Sequence, residues 1–470
     1  MKSSTKIKFT FLLVCLSIFN SNLFSQQAGT YDFTFSQSVG SGSHIGYGSY
    51  IIKPLSDNKI LLGGEVGSFD GVSNDGLVRL LPNGLIDVSF NFKEPGGGSA
   101  YFTDIDFQKN GRIVLFGDYI YRILSNGRID STFANKGRYI GIWGKSIVNG
   151  GKVMSDDKIL FWGNFKINNS SPSNICRLLS NGLIDTTFNT GTGPNTDVYC
   201  GAVQKDGKLI IGGDFSQYNG ALANRLCRIN TDGSLDKSFD VGLGPNSWVN
   251  SIAIQNDGKI LITGERINYY NGNLVKNFIR INTNGSLDNS FKAEQPMNQL
   301  INTKIFVQPD NKILTSIECL VPNQAQLYGK LVRFNSDGSL DKTFNSETVG
   351  RCTEIAIQND GKILVAAEYG YQLKGNSFIR NPLRLYGSSG AGVIKNIYNK
   401  TLISPNPFES KLNIVSEVVF ENLPFTIVNN LGKIILEGSL NGLNPDIPLP
   451  ELPKGIYFIK MGGLVYKLAH

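Results

Sequence analysis

Cys227-Arg228-Ile229-Asn230-Thr231-Asp232-Gly233-Ser234-Leu235-Asp236-Lys237-Ser238-Phe239 is the stretch that decides the fold. With its companion Gln255-Asn256-Asp257-Gly258-Lys259-Ile260-Leu261-Ile262 it recurs, varied, along most of the chain. A fixed period of a few tens of residues marks a repeat architecture. The first pattern, Gly-x-Leu/Ile-Asp-x-Ser/Thr-Phe, ends at Phe90, Phe133, Phe188, Phe239, Phe291 and Phe344, and a weaker copy, Tyr31 to Phe35, stands at the front. The second, Asp/Asn-Gly/Asn-Lys-Ile-Leu, is centred on Lys59, Arg112, Lys158, Lys208, Lys259, Lys312 and Lys362. The steps Phe188 to Phe239 and Phe239 to Phe291, 51 and 52 residues, set the period.

One period reads as strands and tight turns. Val249 to Gln255 and Lys259 to Thr263 are short apolar runs, and the Asp257-Gly258 pair between them suits a two-residue hairpin. Tyr270-Asn271-Gly272 turns the chain into a strand at Phe278 to Asn282, and Asn284-Gly285 turns it again before a strand at Leu287 to Phe291. Within that last strand type, Leu235 and Phe239 lie four apart and are expected on one face, with Asp236 and Ser238 on the other. Four antiparallel strands with no helical periodicity, repeated, predict a β-propeller, whose closure leaves few edges.

The last repeat has its Lys362 strand and a third strand near Phe378-Ile379-Arg380, but no Leu-Asp-x-Ser-Phe strand follows. The front segment Tyr31 to Phe35 lacks strands of its own. Pairing that orphan with the strand around Phe378 predicts an all-β chain with a closed seven-bladed β-propeller of four-stranded blades at 28–386. An open ring, or one of six or eight blades, is the alternative. A Gly/Ser-rich linker (387–402) leads to a small C-terminal β-sandwich domain at 403–470, with strands expected near 411–415, 425–428, 433–436, 456–460 and 465–468.

Residues 1–25 read as a secretory signal peptide, with Lys2, Lys6 and Lys8 before the apolar run Phe9 to Phe19. No other window is long and apolar enough to span a bilayer. Without those three lysines the net charge falls from 45 − 38 = +7 to 42 − 38 = +4, with no basic run, so no nucleic-acid or membrane footprint is expected. Cys176 and Cys227 hold equivalent repeat positions, which favours small core side chains over ligands or a disulfide.

The propeller repeats resemble the delta-60 repeat family of bacterial secreted proteins. The shared residues are Asp257-Gly258-Lys259-Ile260-Leu261 and Asp232 to Phe239, with Gly212-Gly213-Asp214-Phe215 and Tyr218-Asn219-Gly220. The tail is similar to the type A C-terminal sorting domain of the type IX secretion system in Bacteroidetes. Pro405, Asn406 and Pro407 carry the likeness at its start, Gly432 and Lys433 in the middle, and Gly455, Tyr457 and Lys467 near the end. Asn429 departs from the Asp common in that family. The resemblance implies passage through that machinery, removal of the tail, and release or attachment at the cell surface.

Little chemistry stands beside this architecture. His44 and His470 are the only histidines, so histidine-based metal sites and triads are unsupported. The recurrent Asp87, Asp130, Asp185, Asp236, Asp288 and Asp341 stand one per blade, too far apart for paired acid/base work, and read as turn- or blade-bridging residues. Tyr218, Tyr269, Tyr270, Trp248 and Trp143 could meet a sugar or protein at a propeller mouth, or wedge between blades. No catalytic, cofactor or metal residue is assigned. The expectation is an exported, non-enzymatic binding or adhesion module with a glycan or protein ligand. The alternative is a secreted carbohydrate-active hydrolase or lyase.

Overall fold

The computed structural model describes residues 28–32, 35, 45–66, 68–69, 72–95, 100–134, 147–166, 174–264, 266–293, 304–320, 327–346, 352–367, 371–372, 378–379, 382–387, 402–404, 410–415, 420–430, 433–442, 445–461 and 464–470. The expected signal peptide, His44, Trp143, nearly all of the linker, and Pro405, Asn406, Pro407 and Gly432 lie outside them. Two compact units divide the described chain, one within 27–389 and the other including 390–470.

The larger unit is built from three-stranded antiparallel sheets in sequence order. Their strands are Ile45–Pro54, Ile60–Val66, Leu77–Leu80; Phe102–Phe107, Ile113–Gly117, Tyr121–Ile123; Ile147–Val153, Ile159–Asn164, Ile175–Leu178; Val198–Val203, Leu209–Gly213, Leu226–Ile229; Ser251–Ile254, Ile260–Thr263, Phe278–Ile281; Ile305–Val307, Ile313–Leu320, Leu327–Phe334; and Cys352–Ile357, Ile363–Ala367, Leu383–Leu385. Second strands such as Leu209–Gly213 are buried throughout, so they read as continuous apolar runs. The apolar core lies between consecutive sheets. Leu160 and Trp162 of the third pack with Leu209 and Ile211 of the fourth, and Leu364 and Ala366 of the seventh pack with Ile52 and Leu62 of the first.

The fourth strand is shorter than the sequence suggested. It makes one bridge per sheet, as in Ile229 to Leu235 and Ile281 to Leu287. Beyond it the chain turns, with Phe239 N donating to Asp236 O at 3.2 Å and the Asp236 carboxylate accepting from Ser238 N at 2.9 Å. A turn cancels strand alternation. Leu235 therefore packs toward the third sheet and Phe239 toward the fifth, rather than both on one face.

The first hairpin also differs from expectation. Gln255 N donates to Lys259 O at 2.9 Å and Gly258 N to Gln255 O at 2.9 Å, which leaves a three-residue loop. Only its last residue needs positive φ, as in a type I turn followed by a left-handed residue. Gly111, Gly207, Gly258 and Gly361 take that place in four repeats, and Asn58, Asp157 and Asn311 in three. Asn and Asp tolerate this region best among residues with a Cβ. At Gly111, with φ 79° and nothing within 4 Å of an added Cβ, only the backbone matters. Gly111→Ala is expected to cost about 1–2 kcal/mol and Gly111→Asn less, read as the shift in urea midpoint.

Each third strand carries an arginine that locks its sheet to the next. Arg228 Nε donates to Asp236 Oδ2 at 2.7 Å, its guanidinium stands 4.8 Å from the Phe239 ring, and Nη1 donates to the Thr283 carbonyl at 2.6 Å. Thr283 belongs to the following sheet. Arg79, Arg122, Arg177, Arg280 and Arg333 repeat this set. At the seventh sheet the front of the chain supplies the partners: Arg384 Nη2 lies 2.9 Å from Asp32 Oδ2 and its guanidinium 4.4 Å from the Phe35 ring. Arg384 Nη1 then donates to the Pro82 carbonyl of the first sheet at 2.6 Å. Tyr31 bridges Leu385, not the strand expected around Phe378. Phe378–Ile379 pairs instead with Tyr371–Gln372 in a small separate ladder. The true third strand, Leu383–Leu385, begins five residues after Phe378.

The smaller unit holds two sheets over one core. Leu402–Ser404, Lys411–Val415 and Asp446–Pro448 form the first; Ile434–Gly442, Phe420–Asn429, Ile456–Met461 and Leu464–Ala469 form the second. Leu412, Ile414 and Ile447 of one pack on Phe425, Ile427, Tyr457 and Ile459 of the other. Leu402–Ser404 and Asp446–Pro448 were not foreseen, being only three residues long beside prolines.

Candidate binding face

Antiparallel order sends first-to-second hairpins and third-to-fourth turns to one end of every sheet. The remaining connections leave from the opposite, loop end.

At the hairpin end the recurrent aspartates are spent on structure. Asp236 is 6% exposed and meets Arg228 and also Lys208 Nζ, the latter at 2.8 Å. Asp288 and Asp341 are held likewise by Lys259 and Lys312, each at 2.8 Å. Burial works to raise the pKa of Asp87, Asp130, Asp185, Asp236, Asp288 and Asp341, but Ser/Thr hydrogen bonds and the paired cations overcome it and hold all six below the ordinary carboxylate range. A carboxyl more acidic when folded adds stability above its unfolded pKa, near 4, and loses it as pH falls. Thermal midpoints are therefore expected to stay level through neutrality and drop below about pH 4; a midpoint rising on acidification would contradict this.

First strands of neighbouring sheets are tied directly. Asp106 Oδ2 accepts from Val153 N at 2.8 Å and lies 2.9 Å from Lys152 Nζ, Asp104 lies 3.1 Å from Lys53, and Glu354 lies 3.8 Å from Lys304. Burial opposes the charge on Lys53, but Asp104, Glu354 and Asp106 prevail and raise its pKa. Burial raises the pKa of Glu354, against Lys304 and Lys53. None of these three acids is left without a lysine.

The connections that leave the loop end differ. Exposed Leu222, Leu243, Tyr269, Leu274 and Trp248 gather on the fourth and fifth sheets, on the ladders Gln217–Tyr218 with Ala221–Leu222 and Tyr269–Tyr270 with Asn273–Leu274, and on the connection between the sheets. Asn246 joins two of these segments, its Oδ1 accepting from Asn268 N and Tyr269 N at 2.9 Å. Of the aromatics singled out from sequence, Tyr218 and Tyr270 are wedges, buried, with hydroxyls donating to Gly233 O and Gly285 O at 2.5 Å. Tyr269 and Trp248 face solvent.

Sequence reading passed over one register. Glu65, Asp118, Asn164, Asp214, Glu265, Glu318 and Glu368 each stand six residues after the hairpin Lys or Arg, and every one but Asn164 is an acid. Asp118, Asn164 and Asp214 stand at the loop end of their second strands, while Glu265 and Glu368 lie outside the described residues. The repeat alignment alone could have found them.

The thiols of Cys176, Cys200 and Cys227 take part in no disulfide. Burial pushes Cys176 and Cys200 up to about 12, which leaves them protonated and unreactive. In the tail, Asn429 Oδ1 accepts from Lys433 N at 2.9 Å, so the amide oxygen serves the turn as a carboxylate would. Gly455 and the terminal His470 exchange backbone hydrogen bonds of 3.1 and 2.9 Å. Tyr457 is buried and its hydroxyl donates to Pro453 O at 2.7 Å; Lys467 lies in Leu464–Ala469, opposite Phe458.

Residues 55–90, 155–188, 204–239, 255–291 and 324–344 match the Domain of unknown function (DUF5122) beta-propeller family. Residues 402–467 match a secretion system C-terminal sorting domain. The chain carries DUF5122 propeller repeats and a sorting tail. The DUF5122 matches omit the compressed second sheet, where Gly117 is followed almost at once by Tyr121–Ile123. A tail of this class implies export to the cell surface or medium and contact with the type IX machinery. Among the described residues no helix is long and apolar enough to cross a membrane.

No curated protein sequence matches this chain. Among solved structures it is similar to PorZ, a surface component of the type IX secretion system of Porphyromonas gingivalis, at 10% identity and TM-score 0.31. That alignment covers 93% of this chain and 53% of PorZ, so the chain spans about half its length. The gluconolactonase XC5397 of Xanthomonas campestris aligns at 13% identity and TM-score 0.33, over 70% of this chain and 85% of that one. A fungal alcohol oxidase of the AA5 family aligns at 13% and 0.45, over 92% and 98%. At these TM-scores no activity carries over.

Proposed function

We propose that the repeats close into one seven-bladed ring and that this exported ring is a non-enzymatic binding module that presents its loop end to a ligand. Closure is supported by Arg384, which takes Asp32, Phe35 and the Pro82 carbonyl as every other third-strand arginine takes its own set. The type IX route to the cell surface is supported by the sorting tail at 402–467.

The observation that carries binding over catalysis is the division of labour between the two ends. The recurrent aspartates from Asp87 to Asp341, and Asp104, Asp106 and Glu354 on the first strands, are committed to Lys or Arg. Among the described residues the exposed large aromatic rings, Trp248 and Tyr269, stand on the connections that leave the loop end, whereas the exposed large side chains of the hairpin-end turns, such as Leu85, Val88 and Leu183, are aliphatic. General acid/base work needs an acid and a base poised within several ångströms at opposite protonation states, whereas a carboxylate fixed to a cation is a poor proton carrier. The test is to offer the full-length exported protein to glycan and protein arrays. Ligands whose binding falls when Trp248 or Tyr269 is replaced by Ala are expected. A blank array, or turnover of a polysaccharide that stops on Asp197→Asn or Asp214→Asn, would defeat the reading.

A further inference from the structure

Two aspartates stand at the loop end of the fourth sheet, beside the connection that carries the exposed Trp248. Asp197 directly precedes the strand Val198–Val203 and Asp214 directly follows Leu209–Gly213, with Asp214 N donating to Asp197 O at 3.2 Å. Asn164, which holds the same register in the third sheet, donates from Nδ2 to Asp197 Oδ1 at 2.6 Å, and its own Oδ1 has no partner among the described residues. Val249 N donates to Gly213 O at 3.3 Å, which brings Trp248 alongside the Gly213–Asp214 segment. Trp248 is 43% exposed and stands edge to face with Tyr199, ring centroids 6.2 Å apart.

Two acids alone would be no more than a charged pair, and an exposed tryptophan alone no more than a surface residue. Together they offer an apolar ring face next to strong hydrogen-bond acceptors, a combination that suits a polyhydroxylated ring with C–H bonds on one face and hydroxyls around its rim. We propose that Asp197, Asp214, Asn164, Tyr199 and Trp248 bind a neutral glycan, one sugar ring stacking on Trp248 while adjacent hydroxyls donate to the two carboxylates. This deepens the binding-module reading and rests on it. Part of the pair's charge is already answered, since Arg225 Nε lies 4.0 Å from Asp214 Oδ1 and the Asn164 amide covers Asp197. Lone pairs therefore remain for hydroxyl donors, while a polyanion would meet two like charges. Burial and the adjacent Asp214 also raise the pKa of Asp197, against hydrogen bonds from Thr196 and Asn164.

The experiment titrates the full-length exported protein, followed by tryptophan fluorescence and calorimetry. The probes are laminarin and mannan oligosaccharides, with alginate and polygalacturonate as acidic glycans and oligolysine as a polycation. Binding to a neutral oligosaccharide is expected, weakened about tenfold or more in Trp248→Ala and in Asp214→Asn and largely kept in Trp248→Phe, with Leu85→Ala at the hairpin end unchanged. Equal thermal midpoints establish that the variants fold; if Trp248→Ala does not, Trp248→Phe and Asp214→Asn still decide. Neutral-glycan binding untouched by Trp248→Ala and Asp214→Asn overturns this site but not the module. Binding confined to the acidic glycans or oligolysine overturns the ligand class. No binding here or on any array overturns both.

Discussion

Asp32→Asn is expected to lower the unfolding free energy by about 3–5 kcal/mol, the usual effect of leaving one partner of a buried ion pair uncompensated. Asp32 is 1% exposed, lies 2.9 Å from Arg384 Nη2 and 3.2 Å from Lys362 Nζ, and follows Tyr31, which bridges Leu385 of the seventh sheet. Asp236→Asn should cost about as much by the same rule. The two should differ in what opens. Asp236 sits within one continuous stretch of repeats, whereas Asp32 joins the front of the chain to its far end. Limited proteolysis should therefore release fragments starting near residues 28–35 in the Asp32 variant before global unfolding, and not in the Asp236 variant. Arg384→Gln combined with Asp32→Asn should cost less than the sum of the single changes. An Asp32→Asn protein that melts with the wild type would remove the argument for closure.

Deleting residues 402–470 is expected to abolish delivery outside the cell while leaving the propeller folded. The tail has its own core, from Leu412 to Leu468, and the two compact units divide before it. Losing the tail should therefore leave the thermal midpoint of the propeller transition nearly unchanged, and the protein should accumulate in the periplasm. Cell fractionation against the full-length chain measures the first effect, and calorimetry of the recovered protein the second. Undiminished surface display of the truncated chain would separate the tail from export.

How far the molecule was legible in its sequence follows from which forces act locally. The repeat period, the three main strands and the hairpin at Asn256-Asp257-Gly258 were readable, because apolar runs and turn residues act over a few neighbours. The fourth strand was overdrawn because Asp236 looks like an alternating strand residue, yet its carboxylate turns the backbone at Ser238. The partner of Tyr31 was displaced from Leu385 to the region of Phe378 because the apolar pair Phe378–Ile379 mimics a third strand. The arginine was within reach, standing eight residues before the Asp in the six repeats from Arg79 and Asp87 to Arg333 and Asp341. It was missed because an arginine in a strand is usually taken for a surface residue. At the loop end, Asp214 lay inside a quoted motif, but only coordinates bring it beside Asp197 and Trp248, which are distant in repeat position.

The bond between Arg384 and Asp32 spans 352 residues. Contacts of such long range carry a heavy loop-closure cost and form late. A chain made from its front can build its early sheets at once, but the link between residues 28–35 and the seventh sheet waits until almost the last of the repeats has been made. Until Leu383 to Leu385 has been made, Tyr31 and Asp32 lack the strand that they meet in the folded protein.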